Sequence, residues 1–162
     1  MRSTLVRRTA VTAAALGLAL TAASPAVART TAPRTNSPVL VQLDVQGPEG
    51  RLFQGLVITK GHEVTTASGG THACDGTNGG RYPSPVATPT AALDDAARQR
   101  HFTWDGTWYP SFDDFSVDTV KNVSGGASAY WNISVNGVSI PVGGCQFKIK
   151  TGDQISFTWT TF

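Results

Sequence analysis

The sequence predicts an α+β fold: an antiparallel or mixed sheet with one face covered by a single helix. Three observations predict it. Val39, Val41, Leu43 and Val45 alternate with Leu40, Gln42, Asp44 and Gln46, the period-two pattern of a strand with one apolar face. Thr88-Pro89 opens a helical stretch over residues 88–100, with Thr88 as cap and Pro89 at the first helical position. Asn136-Gly137 sits between two alternating runs and marks a two-residue hairpin, since both central positions of that turn need positive φ. The order is strand, strand, helix, then several strands, which is the α+β pattern.

Residues 1–28 read as a secretory signal of bacterial type. Arg2, Arg7 and Arg8 make a positive start, residues 11–23 an Ala/Leu-rich apolar stretch, and Ala26-Val27-Ala28 a small-x-small cleavage site. Cleavage there leaves 134 of the 162 residues, enough for one domain. Three of the 13 Lys and Arg lie in this segment and none of the 11 Asp and Glu does, so the remainder carries a net charge of −1. A nucleic-acid binder would carry a basic patch, so none is expected as a partner. No other stretch reaches the run of about 18 apolar residues that spans a bilayer. No membrane anchor is expected, and the product reads as a freely secreted, extracellular monomer.

Residues 29–38 are polar, with Pro33 and Pro38, and read as a disordered spacer; the domain is expected over residues 39–162. Gly47-Pro48-Glu49-Gly50 is a turn by composition. Residues 51–59 pair back as a second strand, with a bulge expected at Gly55. Residues 60–87 are broken by Gly69-Gly70, Gly76, Gly79-Gly80, Pro83 and Pro85 and read as one long irregular loop held by Cys74. In the helix, Leu93, Ala96, Ala97 and Arg100 share a face; Asp94 and Asp95 lie toward the start and Arg98 and Arg100 toward the end, as the macrodipole favours. Residues 115–120, 129–135, 138–142 and 154–160 read as strands, with Trp131, Ile133, Phe157 and Trp159 inward and Tyr130, Asn132 and Ser134 outward.

Cys74 and Cys145 are the only cysteines, an even count in an exported chain, and predict one disulfide. His72-Ala73-Cys74-Asp75 matches no zinc spacing, and an oxidised Cys74 cannot coordinate, so no metal and no cofactor are expected. No nucleophile elbow, His-Glu-x-x-His or Cys-His signature occurs. Asp94-Asp95 and Asp113-Asp114 are adjacent pairs whose side chains diverge on a regular element, and they read as solvated. No enzyme is expected.

The most suggestive stretch is Trp104-Asp105-Gly106-Thr107-Trp108-Tyr109-Pro110-Ser111-Phe112, four aromatics in nine residues, read as a loop. Flat apolar faces with polar neighbours suit a sugar ring or a planar ligand. Trp104, Trp108, Tyr109 and Phe112, with Tyr130 on the outward stripe, are the candidate ligand-binding residues; closure of the sheet's open end is the competing role for the same rings.

The C-terminal third carries a resemblance. Tyr130-Trp131-Asn132-Ile133-Ser134-Val135-Asn136-Gly137, Gly143-Gly144, Phe147-Lys148-Ile149 and Gly152-Asp153-Gln154-Ile155 resemble the transcobalamin-like C-terminal domain family. The opening hairpin and the helix at Leu93 fit it, while the cysteines and the Gly-rich segment around Cys74 depart from it. The resemblance implies a β-grasp-like sheet of about five to seven strands with one helix packed on one face. It also implies a binding module for a soluble small molecule, glycan or protein; a cobalamin-type ligand is not expected from this chain alone. The alternative is a small disulfide-stapled protease inhibitor presenting a rigid loop near Cys74.

Overall fold

The computed structural model describes residues 36–162. The expected signal and residues 29–35 of the expected spacer lie outside the described residues. The described residues form a mostly β, α+β unit with one helix and one disulfide.

The main sheet has five strands. β1 (Val39–Gly47) and β2 (Gly50–Thr59) form the opening hairpin, and β8 (Ala129–Val135), β9 (Val138–Ser139) and β10 (Gln154–Thr161) come from the C-terminal third. The spatial order is β2-β1-β10-β8-β9, and β1 and β10 run parallel at the centre, with Leu43 opposite Ile155 and Val45 opposite Phe157. The other pairs are antiparallel. The period-two pattern sets which face is dry: Val41, Leu43, Val45, Val57, Trp131, Ile155 and Phe157 are buried in one cluster. Each fully buried aliphatic or aromatic side chain there contributes about 1.5–3 kcal/mol by leaving water. The irregularity in the hairpin falls between Val45 and Gln46, not at Gly55: Val45 pairs with Phe53 and Gln46 with Arg51, so one extra residue is absorbed beside the turn.

Helix α1 (Pro89–Arg100) covers the dry face. Thr88 caps it, its hydroxyl accepting from the N–H of Ala91, and His101 closes it in the left-handed region with φ 57°. Its N-terminal half is buried on all sides, from Pro89 to Asp94, because the helix is packed between the main sheet and a second layer. Two side chains depart from expectation. Arg100 is exposed, and Asp94 is buried, not solvated. Asp94 accepts from Trp104 Nε1 at 3.2 Å and pairs with His62 at 2.9 Å and Arg98 at 3.1 Å, so it ties three segments together.

The second layer comes from the strand expected at residues 115–120 together with segments read as loops. Residues 60–87 hold the hairpin of β3 (His62–Thr66) and β4 (Gly70–Cys74), so the long loop shrinks to the part after Cys74. Val64 and Thr66 point inward and Glu63 and Thr65 outward, a short alternation. The aromatic stretch is likewise strand, not loop: β5 (Trp104–Tyr109) pairs with β6 (Asp114–Val120), which pairs with β7 (Val123–Ser124). A register shift between Asp105 and Gly106 hides its alternation from the sequence. The Cys74–Cys145 disulfide fastens β4 to the segment before Phe147.

Candidate functional site

The β5 strand sorts the aromatic stretch onto two sides. Trp108 points into the second-layer cluster of Val64, Cys74, Ala91, Phe115 and Cys145. Its indole lies flat on His72, with centroids 4.0 Å apart, and meets Phe115 edge-on at 4.9 Å. Trp104 packs against both hydrophobic clusters. Neither ring stands free on a loop.

Tyr109 and Phe112 do stand out, 47% and 68% exposed. They flank the turn from β5 into β6, which is held by Phe112 N–H donating to Tyr109 O at 3.0 Å and Asp113 N–H to Pro110 O at 3.3 Å. Across from them runs residues 140–143, Ile140-Pro141-Val142-Gly143. Between the two sides lies a cleft of about 440 Å³, with Asp114 and Phe115 among its lining residues. The Gln146 amide donates to Phe112 O and clips the turn to the opposite lip.

Asp114 lies at the buried floor. The N–H of Cys145 donates to both its carboxylate oxygens, at 3.1 and 3.0 Å. Burial pushes its pKa up to about 7; the Cys145 N–H opposes this and the neighbouring Asp113 adds to it. The expectation of a solvated Asp113-Asp114 pair therefore fails for Asp114. Its partner is 31 residues away in sequence, and nothing local signals the burial. Gly143 makes the close approach possible: a Cβ there would stand 1.9 Å from the carboxylate oxygen.

Tyr130 is elsewhere, on the outer face of β8, stacked on Phe162 with centroids 5.2 Å apart. Together with Tyr109 these two line a second cleft of about 390 Å³. Tyr109 thus stands between two clefts. Of the five sequence candidates, Tyr109 and Phe112 share the first cleft, Tyr109 and Tyr130 the second, and Trp104 and Trp108 line neither. Sequence reasoning missed Asp114 and the lip at Ile140–Gly143, where residues 138–142 read as strand and only Val138 and Ser139 pair. Among the described residues no group of three or more His, Cys, Asp or Glu is placed to hold a metal ion.

Residues 108–161 match a family model described as a domain of unknown function (DUF4430). That span contains the Tyr130–Gly137 and Gly152–Ile155 segments that carry the sequence resemblance. No curated protein matches the chain. Among solved structures the chain is similar to haptocorrin in complex with Cbi, at 12% identity and a TM-score of 0.51 over 78% of this chain. The match covers 26% of the haptocorrin chain, so this chain spans about a quarter of its length. At that identity the likeness is one of fold, and it makes the fold transcobalamin-like.

Proposed function

We propose that the domain is a secreted, non-enzymatic binding module of β-grasp-like, transcobalamin-like type, taking a small planar, largely apolar ligand in the cleft over Asp114. The observation that carries this is the cleft itself: two exposed rings, Tyr109 and Phe112, face the apolar lip of Ile140–Gly143 above a buried carboxylate. Exposed aromatic faces opposite aliphatic side chains bury a flat ligand well, and one polar group on the floor fixes its orientation. The β-grasp-like reading is supported by the central parallel pair of β1 and β10 with one helix across the sheet. Secretion is supported by the signal-like residues 1–28 and by the disulfide. Haptocorrin is in complex with Cbi, but this chain spans only a quarter of that protein, so a cobalamin-type ligand held by this chain alone is not part of the proposal. Nothing favours the inhibitor alternative; Cys74 itself is buried at the end of strand β4.

The test is a fluorescence titration of the purified mature protein with Nile red, a neutral planar apolar probe, followed by a thermal-shift screen of metabolite fractions. The reading expects saturable one-to-one dye binding that Phe112→Ala abolishes while the melting temperature holds. Dye binding that ignores Phe112→Ala overturns the cleft as the site.

A further inference from the structure

The second cleft differs in chemistry from the first. Three aromatic rings line it, Tyr109, Tyr130 and Phe162, and with them one acidic side chain, Asp118, and two serines, Ser116 and Ser124. The rings are held by the fold. Tyr109 ends β5, Tyr130 stacks on Phe162, and the Phe162 N–H donates to Ser128 O at 3.1 Å. Tyr130 and Phe162 are nevertheless 42% and 86% exposed, so they present faces to whatever enters.

Asp118 supplies the sign. No Lys, Arg or His lines the cleft. Among the described residues Asp118 makes no ion pair; one of its oxygens accepts from the Thr107 hydroxyl at 2.6 Å, and the other is left without a protein donor. A half-buried carboxylate beside the negative faces of aromatic rings makes a field that favours a cation. The kind of cation follows from the walls, three aromatic rings around one acidic side chain. A metal ion or a primary ammonium holds its water tightly and needs several oxygen or nitrogen partners in exchange. An alkylated ammonium carries its charge under methyl groups and is compensated by ring faces and a single carboxylate.

We propose that this cleft binds a quaternary or heavily alkylated ammonium group, with Tyr109, Tyr130 and Phe162 as the ring walls and Asp118 as the counter-charge. The proposal does not rest on the use of the first cleft, from which this one differs in Tyr130, Phe162 and Asp118.

Choline and its neutral carbon isostere 3,3-dimethyl-1-butanol distinguish the cation site from a plain apolar pocket. Calorimetric titration of the mature protein should show saturable choline binding and at least about tenfold weaker binding of the isostere. Asp118→Asn should weaken choline by about tenfold while the Thr107 hydroxyl bond is kept through the amide oxygen. Phe162→Ala removes a ring that is almost wholly exposed, leaves the fold untouched, and should weaken choline likewise. Equal binding of the two probes, or indifference to both Asp118→Asn and Phe162→Ala, overturns the proposal. So does a response to chito- or cello-oligosaccharides, lost in Tyr130→Ala, with none to choline, which would make the cleft a glycan site. Nile red reads the first cleft in the same preparation, so failure of one site is seen apart from failure of the other.

Discussion

The backbone N–H of Cys145 donates to both carboxylate oxygens of Asp114, so the residue that closes the disulfide also holds the floor of the first cleft. Stability, cleft shape and proton binding are coupled at this point. The Gly143-Gly144 pair lies immediately before it, and a side chain at either position would collide, with Asp114 at Gly143 and with Thr90 at Gly144.

The first prediction is a pH dependence. Asp114 titrates at about 7 when folded, from an ordinary value of 3.8, because burial disfavours its charge. Between those values the folded protein keeps a proton that the unfolded chain has released. Its contribution is therefore complete below about pH 4 and is lost as pH rises through about 7, at up to about 1.4 kcal/mol per unit. His62 adds the same sign at higher pH: burial would lower its pKa, but the hydrogen bond to Asp94, the Lys60 carbonyl and Asp95 raise it above 6.5. Urea denaturation between about pH 4.5 and 6 isolates Asp114. The wild-type midpoint should fall across that range and the Asp114→Asn midpoint should stay level; equal slopes would refute the assignment.

Removing the disulfide should cost more than any surface change. Cys74 and Cys145 are 71 residues apart in sequence, for which loop-closure entropy gives about 4 kcal/mol. The bridge also fastens the β3–β4 hairpin, whose own ladder is only five residues long. Cys74→Ser should lower the urea midpoint accordingly, and native protein should show no thiol to a chromogenic reagent until reduced. A midpoint unchanged by reduction would show that packing alone holds the second layer.

The indoles separate by packing. Trp131 is 5% exposed, within the main core, and Trp131→Ala should cost about 3–5 kcal/mol. Trp108 is only partly buried, and its stack on His72 and edge contact with Phe115 predict a loss of about 2 kcal/mol on Trp108→Ala. A double-mutant cycle with His72→Ala should return a coupling of about 0.5–1.5 kcal/mol. A Trp108→Ala protein as stable as wild type would return this ring to the list of free binding residues.

What the sequence made legible was local chemistry. The Thr88 cap, Pro89 and the Asn136-Gly137 turn, with φ values of 53° and 79°, each depend on neighbours within four residues, and each stands where its residues predict. The alternation of β1, β8 and β10 was readable for the same reason. Strand β3 was hidden because a five-residue run with two inward positions is too short to show a period against flanking glycines. Strand β5 was hidden by its register shift, which breaks the alternation at Asp105 and Gly106. The site was half legible: exposed Tyr109 and Phe112 could be suspected from composition, but the opposite lip and the burial of Asp114 depend on contacts some thirty residues away.

The last prediction concerns Gly143, whose φ is not in the left-handed region and whose glycine is required by space alone. A Cβ built there falls 1.9 Å from Asp114 Oδ2 and 2.2 Å from its Cγ, so either the carboxylate or the lip must move. The carboxylate is held by the Cys145 N–H next to the disulfide, so movement of the lip is the expected response, and it narrows the cleft against Phe112 and Tyr109. Gly143→Ala should therefore destabilise by about 1–3 kcal/mol, as overpacking does, and weaken Nile red binding together. Shortening the floor residue tests the cause. Asp114→Ala removes the two atoms that collide hardest, Oδ2 and Cγ, and keeps the Cβ at 2.8 Å; it also removes the acceptor of the Cys145 N–H, so it costs stability on its own. In the Gly143→Ala, Asp114→Ala double variant the steric part of the Gly143 effect should shrink, and the combined loss should fall short of the sum of the two single losses by at least about 1 kcal/mol. Strict additivity in that cycle would mean that Gly143 is required for another reason and that the lip and the floor are not in contact.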